Sequence, residues 1–537
     1  MNYEIIDLRK YLNLKFIIVF TFLIYIIQCS LFVPYTTTVW VDEGNYILKS
    51  FWYVNGELSP YSDEDPTWYM PLYFYLLGCW QTFFGAGHVS SRIFNVILSI
   101  LNLFFLFKIS KSLNKKMEYG IMPLILFVLS PFAVWHFITA SPIAIVSLLH
   151  ILGFHLILVR TKKSWWLTSI LLGIIYILLF FTRSSMIISV ILMLILQLTI
   201  HREGRFKRFI VTILMSLSIS ILIFSYSPEK MGYYALQLPF IIDAIKYIGI
   251  YIEPNQDILS SIYHPDYYSI WPTTRFEFSW NRMFVMLRAF FASVVFIHPV
   301  IIILNLVSVV SCFIKRKVFQ PNCVVSIYFI IILFIHWIGT NTQGSPYVIG
   351  NYILHFLFAG SIGSIYGFKE LIKRSSMNIA IGMIIILTIV QLCLNIRVLN
   401  NNSLVSIYPN YLNEVKELSK VIDDNVPNHE FILPISGSPF YATLGSFYAG
   451  NMIELTSIHQ NDTYRKFYSD DPTINKLNSL RSLGFWSDEL MFNWIENKYD
   501  YIILDNGEMA NKYRQLVEIN FEPVNPPING YVIYKRK

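Results

Sequence analysis

The sequence predicts a mainly α-helical membrane protein, with a polytopic bundle of about 11 transmembrane helices and a C-terminal extracytoplasmic α/β domain. Its 537 residues are 55% hydrophobic and only 14% charged, and mean hydropathy is +0.51, values that soluble globular proteins rarely reach. Apolar runs near the length of a bilayer span recur through the first 400 residues and then stop. These observations predict residues 1–398 as a transmembrane domain and residues 399–537 as a separate soluble domain.

Each candidate span is an apolar run long enough for a helix that crosses most of a bilayer core of about 30 Å. In chain order the candidates are Phe16–Val33, Ser91–Ile109, Tyr119–Trp135, Ala140–Val159, Trp165–Phe181, Ser185–Ile200, Phe209–Ser225, Ala289–Phe313, Cys323–Ile338, Tyr347–Ile365 and Ile379–Leu394.

Lys and Arg side chains decide between two topologies that differ in one segment, Tyr69–Phe84. If this segment does not cross, the basic clusters between spans fall on one side, as the positive-inside rule requires. That choice predicts a cytoplasmic N-terminus, an extracytoplasmic C-terminal domain, and outer loops at 34–90, 227–282 and 339–346. It also explains the net charge of +7 without a nucleic-acid partner, and it suits a bacterial inner or plasma membrane.

The C-terminal part has an ordinary mixture of polar and apolar residues. Its pattern predicts helices at Tyr411–Asp423 and Asp488–Asn497, and strands at Phe431–Pro434, Tyr499–Asp505 and "GYVIYK" near the end of the chain. This order indicates a small α/β layer structure.

An acidic pair, Asp42 and Glu43, follows the first span in the stretch "TTTVWVDEGNYI". Acidic residues commonly cap helix ends, and that explanation stays open. However, the surrounding loop is rich in Trp and Tyr, whose rings suit either a membrane interface or a sugar. A carboxylate near a lipid boundary can serve as a general base, and Asp42 is the better candidate of the two.

An ordered set of short motifs accompanies this pair. "VDEGNY" matches an Asp-Glu-x-x-Tyr pattern that ends at Tyr46, "MPLYFYL" is similar to a Pro-Pro-Leu-Tyr segment, and "SSRIFNVILS" contains Arg92 at a helix start. Later come "FFTRSS" with Arg183 and "GNYILHFLFAG" with Asn351, Tyr352 and His355. In this order the motifs resemble the GT-C superfamily of membrane glycosyltransferases, in particular the group of protein O-mannosyltransferases and lipid A aminoarabinose transferases.

The chain also departs from that family's pattern. Many relatives have a second acidic residue early in the fourth span, where this chain reads "TASPIAI". Arg183 stands where relatives have Lys, and Asn351 where they have Arg before Tyr352. A mechanism with two separated carboxylates is therefore not expected in the same form here.

The resemblance implies transfer of a sugar from a polyprenyl-phosphate donor in the bilayer to a hydroxyl of a lipid, glycan or protein acceptor at the outer face. Asp42 would accept the acceptor's proton, with inversion at the anomeric carbon, and Glu43 would orient the acceptor or assist a cation. Mg²⁺ or Mn²⁺ is possible, with Asp42 and Glu43 as oxygen ligands if a divalent cation is used.

Cations near the donor phosphate would stabilise the leaving group, and Arg183, Arg275 and Arg282 are the outward-side candidates. For each of them, membrane-surface or headgroup contact is an alternative role. The remaining substrate-binding candidates are Tyr46, Arg92, Asn351, Tyr352 and His355, although helix-end anchoring is an alternative for Arg92.

Three other functions compete with this hypothesis. A transporter or flippase for a lipid-linked or small polar substrate would explain polar residues within spans, but it predicts repeats or paired broken helices that the sequence does not display. A polysaccharide polymerase or ligase would concentrate Arg and His in one large outer loop. A structural assembly protein fits if Asp42 is only a helix cap.

Overall fold

The computed structural model describes most of the predicted membrane part and the end of the chain. The described residues are 8–35, 40–56, 71–114, 118–159, 164–183, 186–200, 204–226, 297–316, 319–339, 353–374, 377–401, 417–418, 420–422, 424–427, 430–435, 452–453, 488–528 and 530–537. The predicted outer loops 227–282 and 339–346 therefore lie almost wholly outside this set.

Helices dominate the described residues up to position 401, as the apolar runs predict. They are α1 Leu8–Tyr35, α2 Trp40–Asn55, α3 Leu72–Phe84, α4 His88–Asn114, α5 Glu118–Val128, α6 Pro131–Ile138, α7 Ile143–Leu158, α8 Trp165–Thr182, α9 Ile187–Ile200, α10 Arg205–Tyr226, α11 Pro299–Ile314, α12 Pro321–Gly339, α13 Leu357–Arg374 and α14 Met377–Asn401.

Four of the described helices are long and apolar enough to cross a membrane: Lys15–Pro34, His88–Leu113, Trp165–Thr182 and Arg205–Ile223. Five shorter apolar helices accompany them, within α7, α9, α11, α12 and α14. The length and apolar composition of these helices indicate an integral membrane protein, as predicted. The number of about 11 spans stays a prediction, because only part of the chain is described.

The predicted span Tyr119–Trp135 is not one straight helix, although its two parts together are long and apolar enough for a broken span or a re-entrant loop. The chain forms α5 and α6 instead, and their axes differ by 86° at the break after Val128. Pro131 begins α6 and cannot donate a backbone hydrogen bond, while the Ser130 hydroxyl donates to the Leu126 carbonyl and closes the end of α5. The bend therefore has a local cause that hydropathy does not report.

Contacts between Cα atoms divide the chain into two compact units. The first unit comprises residues 1–32, 95–228 and 275–402, and the second comprises residues 33–94, 229–274 and 403–537. The second unit thus combines most of two predicted outer loops with the C-terminal part. The predicted division at residue 399 stays a prediction.

In the first unit, α11 and α13 approach closely because glycine removes the side chain at their contact. A Cβ placed on Gly367 would lie only 1.8 Å from the Leu304 carbonyl oxygen, and one on Gly363 would lie 2.3 Å from Asn305 Oδ1. Asn305 itself donates to the Gly360 carbonyl across the same contact, at 2.8 Å. Small residues and amide hydrogen bonds are the usual means by which membrane helices associate.

We expect Gly367→Ala to destabilise the protein by about 1–3 kcal/mol, because the added methyl group must push α11 and α13 apart. Gly382→Ala in α14 is the matched control, since nothing lies within 4 Å of a Cβ built there. That variant is expected to be neutral or more stable by up to about 1 kcal/mol, through helix propensity. Thermal unfolding in detergent compares the two, and equal effects would contradict the packing argument.

In the second unit, α2 and α3 form a close pair within the predicted first outer loop. A Cβ on Gly78 would lie 2.0 Å from the Ser50 carbonyl oxygen, so glycine is required where α3 meets α2. At 13 residues, α3 is about 20 Å long, which is too short to cross a bilayer core by itself. Because α9, within a predicted span, has only 14 residues, this length does not decide the topology, and a non-crossing Tyr69–Phe84 stays a prediction.

The C-terminal residues form a five-stranded sheet in the order β2-β1-β3-β5-β4. Its strands are β1 Phe431–Ile435, β2 Met452–Ile453, β3 Tyr501–Leu504, β4 Phe521–Pro523 and β5 Val532–Arg536. β1 is parallel to β2 and β3, whereas β5 is antiparallel to β3 and β4.

Helices α15 Asp488–Asn493 and α16 Glu508–Asn520 accompany the sheet, and a π-helical turn at Trp494–Lys498 extends α15. Apolar side chains from these helices and from the strands form one buried cluster, which includes Trp494, Tyr513 and Ile502. The three predicted strands and the predicted helix at Asp488–Asn497 are confirmed. The helix predicted at Tyr411–Asp423 lies mostly outside the described residues.

Candidate functional site

A buried ion pair anchors the helix that carries the acidic pair. Glu43 lies in the first turn of α2, and both of its carboxylate oxygens accept from Arg92 in α4: Oε1 from Nε at 2.8 Å and Oε2 from Nη2 at 2.9 Å. Arg92 also donates from Nη1 to the Val33 carbonyl at 3.1 Å. Two hydrogen bonds between a guanidinium and a carboxylate restrict the orientation of both groups, so they fix α2 against the start of α4.

The electrostatics of the pair follow from its burial. Glu43 is 3% exposed and Arg92 is fully buried. Burial alone would raise the pKa of the Glu43 carboxyl, but the Arg92 guanidinium outweighs it and holds the pKa well below its usual range. The carboxylate is therefore ionised at neutral pH. The pair contributes its full stability above about pH 4.3 and loses it only as the pH falls toward the lowered pKa.

His88, at the first position of α4, forms a cluster with the ion pair. Its Nε2 atom lies 3.7 Å from Glu43 Oε2, and the imidazole is fully buried. Sequence analysis did not identify His88 as a site residue, although it lies one helical turn before Arg92, on the same face of α4. The four-residue spacing of His88 and Arg92 was the feature of the sequence that could have indicated their proximity.

Aromatic rings pack beside this cluster. Tyr46, one turn after Glu43, is buried and contacts Tyr73 edge-to-face at 5.2 Å and Phe74 at 5.0 Å between ring centroids. Tyr53 also contacts Phe74, at 5.4 Å. These four aromatic residues thus form part of the packing between α2 and α3. A role for Tyr46 in substrate binding stays a prediction.

The structure also brings together two predicted site residues of the first unit, Arg183 and His355. Arg183 ends α8, and its Nη1 atom donates to Nε2 of His355 at 3.1 Å. A guanidinium can only donate, so Nε2 must be unprotonated and the His355 proton must be on Nδ1. His355 is 1% exposed, whereas Arg183 is half-buried. The Arg183 guanidinium is therefore partly accessible, while the His355 imidazole that accepts its hydrogen bond is buried.

The remaining predicted site residues cannot be located in the same detail. Asp42 lies within α2, but its side chain is outside the described part of the structure. Arg275, Arg282, Asn351 and Tyr352 also lie outside the described residues. Their assigned roles stay predictions.

The possible metal site was predicted at Asp42 and Glu43. Because both carboxylate oxygens of Glu43 accept from Arg92, this side chain would have to leave the ion pair to bind a cation. Elsewhere in the described part of the chain, no group of three or more His, Cys, Asp or Glu residues is arranged to hold a metal ion. A Mg²⁺ or Mn²⁺ requirement stays a prediction.

Comparison with known proteins identifies the fold. No family model matches the sequence, and no curated protein matches it. The structure is similar to ArnT from Cupriavidus metallidurans bound to undecaprenyl phosphate, with a TM-score of 0.53 and 10% sequence identity over 96% of this chain and 97% of that one. Apo ArnT from the same organism gives a TM-score of 0.50 with the same identity and coverage. The chain therefore has an ArnT-like fold.

Proposed function

We propose that this protein is a membrane glycosyltransferase that moves a sugar from a polyprenyl-phosphate donor to an acceptor hydroxyl at the outer face of the membrane. The observation that carries the proposal is a fold shared with ArnT along nearly the whole of both chains. One of the ArnT structures contains undecaprenyl phosphate, a lipid of the proposed donor class.

Local features of the chain support the same function. The predicted acidic motif lies on α2, and the buried pair Glu43–Arg92 holds that helix in place. Rigid support of this kind is what a catalytic carboxylate needs, because small displacements from the reacting atom slow a reaction severely. In this proposal Glu43 positions α2, and Asp42 is the group that acts on the substrate.

The proposed step is a single displacement at the anomeric carbon. The acceptor oxygen forms a bond to that carbon while the bond from carbon to the donor's phosphate oxygen breaks, and its electron pair leaves with the phosphate. The acceptor's proton passes to the Asp42 carboxylate. The configuration inverts because the acceptor oxygen attacks from the side opposite the leaving phosphate. Arg183, together with Arg275 and Arg282, would balance the negative charge that develops on the leaving phosphate.

Analysis of envelope glycans and of lipid-linked sugars in cells with and without this protein tests the proposal. We expect the cells without it to lack one sugar on a surface lipid, glycan or protein and to accumulate the corresponding polyprenyl-phosphate sugar. Mass spectrometry of both fractions identifies donor and acceptor together. Unchanged glycans and unchanged lipid-linked sugars would contradict the proposal.

The transporter or flippase alternative predicts a different distribution of the same lipid. The protein would then move the lipid-linked sugar across the bilayer, so the intermediate would accumulate on the cytoplasmic leaflet of the deficient cells. A transferase acting at the outer face leaves it on the outer leaflet, where a membrane-impermeant periodate reagent can reach the sugar. Protection of the accumulated sugar from that reagent would favour transport.

A further inference from the structure

The Arg183–His355 pair is built on a break in a buried helix. Residues 353–354 are helical, residues 355–356 form a turn, and α13 begins at Leu357. The Phe356 amide donates to the Ile353 carbonyl at 3.0 Å, which closes the turn. Non-helical backbone within an apolar bundle needs partners from other helices, because water is not available to satisfy its polar groups.

Ser147, in α7, supplies such a partner. Its hydroxyl donates to the His355 carbonyl at 3.2 Å, and the serine is fully buried. The contact joins residues 208 positions apart in the chain, so it is a tertiary constraint on the turn. Serine hydroxyls commonly satisfy backbone groups at breaks in membrane helices.

A second residue on the same face of α7 holds the next position of the turn. His150 follows Ser147 by three residues, and its ring contacts the Phe356 ring edge-to-face at 5.2 Å. His150 is itself fixed: Nδ1 donates to the Val146 carbonyl at 2.8 Å, so Nε2 accepts from the Ser189 hydroxyl at 2.5 Å. One helix face therefore constrains both the carbonyl of residue 355 and the side chain of residue 356.

We propose that Ser147 is a positioning residue for Arg183. Its hydroxyl fixes the turn at His355–Phe356, and the turn holds the His355 imidazole where it accepts from the Arg183 guanidinium. Arg183 is then oriented before an anionic ligand arrives, which reduces the entropy lost on binding. The identity of that ligand, the phosphate of a polyprenyl-phosphate lipid, rests on the proposed function.

Binding of undecaprenyl phosphate to the full-length protein in detergent tests this role, with undecaprenol as the ligand that lacks the phosphate. We expect Ser147→Ala to weaken undecaprenyl phosphate binding roughly fivefold, the loss of about one hydrogen bond, and to leave undecaprenol binding unchanged. Ser216→Ala is the matched control, because Ser216 also donates across a helix contact, to the Gly173 carbonyl at 3.1 Å. This control should bind both lipids like the wild type.

A double-variant cycle separates positioning from general destabilisation. If Ser147 acts through Arg183, Ser147→Ala should have no further effect on undecaprenyl phosphate binding in an Arg183→Gln background. An equal loss of affinity in both backgrounds would overturn the proposal. A loss of undecaprenol binding as large as that of undecaprenyl phosphate would overturn it as well.

The histidine tautomer gives a readout that does not depend on any ligand. Nitrogen-15 NMR of histidine-labelled protein should show an unprotonated, hydrogen-bonded Nε2 at His355, assigned by the signal that disappears in His355→Gln. Ser147→Ala should shift that signal, whereas Ser216→Ala should not. An unchanged His355 signal in Ser147→Ala would contradict the positioning role. If Ser147→Ala shifts the His355 signal but the wild-type protein binds no undecaprenyl phosphate, only the proposed function is contradicted.

Discussion

Arg92→Ala is expected to destabilise the protein by about 3–5 kcal/mol, the range for leaving one member of a buried ion pair without its partner. Glu43 would stay at 3% exposure without the two hydrogen bonds that now satisfy its oxygens. The Val33 carbonyl would also lose the hydrogen bond from Arg92. Chemical or thermal unfolding of the detergent-solubilised protein measures the loss, and reduced membrane accumulation should accompany it.

Two further variants show whether the loss of stability in Arg92→Ala results from breaking the Glu43–Arg92 ion pair. Arg205→Ala removes an exposed arginine at the start of α10 and should change stability by less than about 0.5 kcal/mol. The double variant Glu43→Leu with Arg92→Met replaces both charges by apolar groups of similar size, and it should recover much of the stability lost in Arg92→Ala. If the double variant is as unstable as the single one, the unpaired charge is not the cause.

Asp42→Asn is expected to reduce sugar transfer by about 10²–10⁴-fold, the usual contribution of a general base, while the protein accumulates normally in the membrane. The amide keeps the shape of the side chain but cannot accept the acceptor's proton. Transfer is measured in membranes with the lipid-linked sugar that accumulates in deficient cells. This outcome differs from that of Arg92→Ala, in which activity and stability should fall together.

Asp500→Asn is the matched control for Asp42→Asn. It makes the same isosteric change at a carboxylate that is 65% exposed and pairs with Arg536 at the surface. Exposed pairs of this kind contribute at most about 1 kcal/mol, so transfer activity should be retained. Full activity in Asp42→Asn would remove the proposed general base and leave the helix-cap explanation for this residue.

The class of fold was predictable because it depends on composition and on the length of apolar runs. Interruptions within those runs were not predictable from hydropathy, since the break between α5 and α6 and the turn at His355–Phe356 change little in polarity. Strands in the C-terminal part were predictable from local pattern. Their order in the sheet was not, because β1, β3 and β5 pair over long separations in sequence.

The sequence indicates which residues are candidates for a site, but it does not indicate which of them contact each other. The Glu43–Arg92 contact joins positions 49 residues apart, and the Arg183–His355 contact joins positions 172 apart. Sequence spacing alone cannot report such tertiary contacts. Ser147 was not predicted, because a single serine in an apolar helix gives no sequence pattern that indicates a function. Its role depends on the turn that it contacts.

Among the residues that the structure describes, the outermost strands of the five-stranded sheet are very short, β2 with two residues and β4 with three. An edge this short offers few unpaired backbone groups to another chain, so it is a poor template for intermolecular strand addition. A membrane confines neighbouring copies to two dimensions and raises their rate of encounter. Where the described strands form the edges of the sheet, we expect their shortness to limit lateral aggregation between copies.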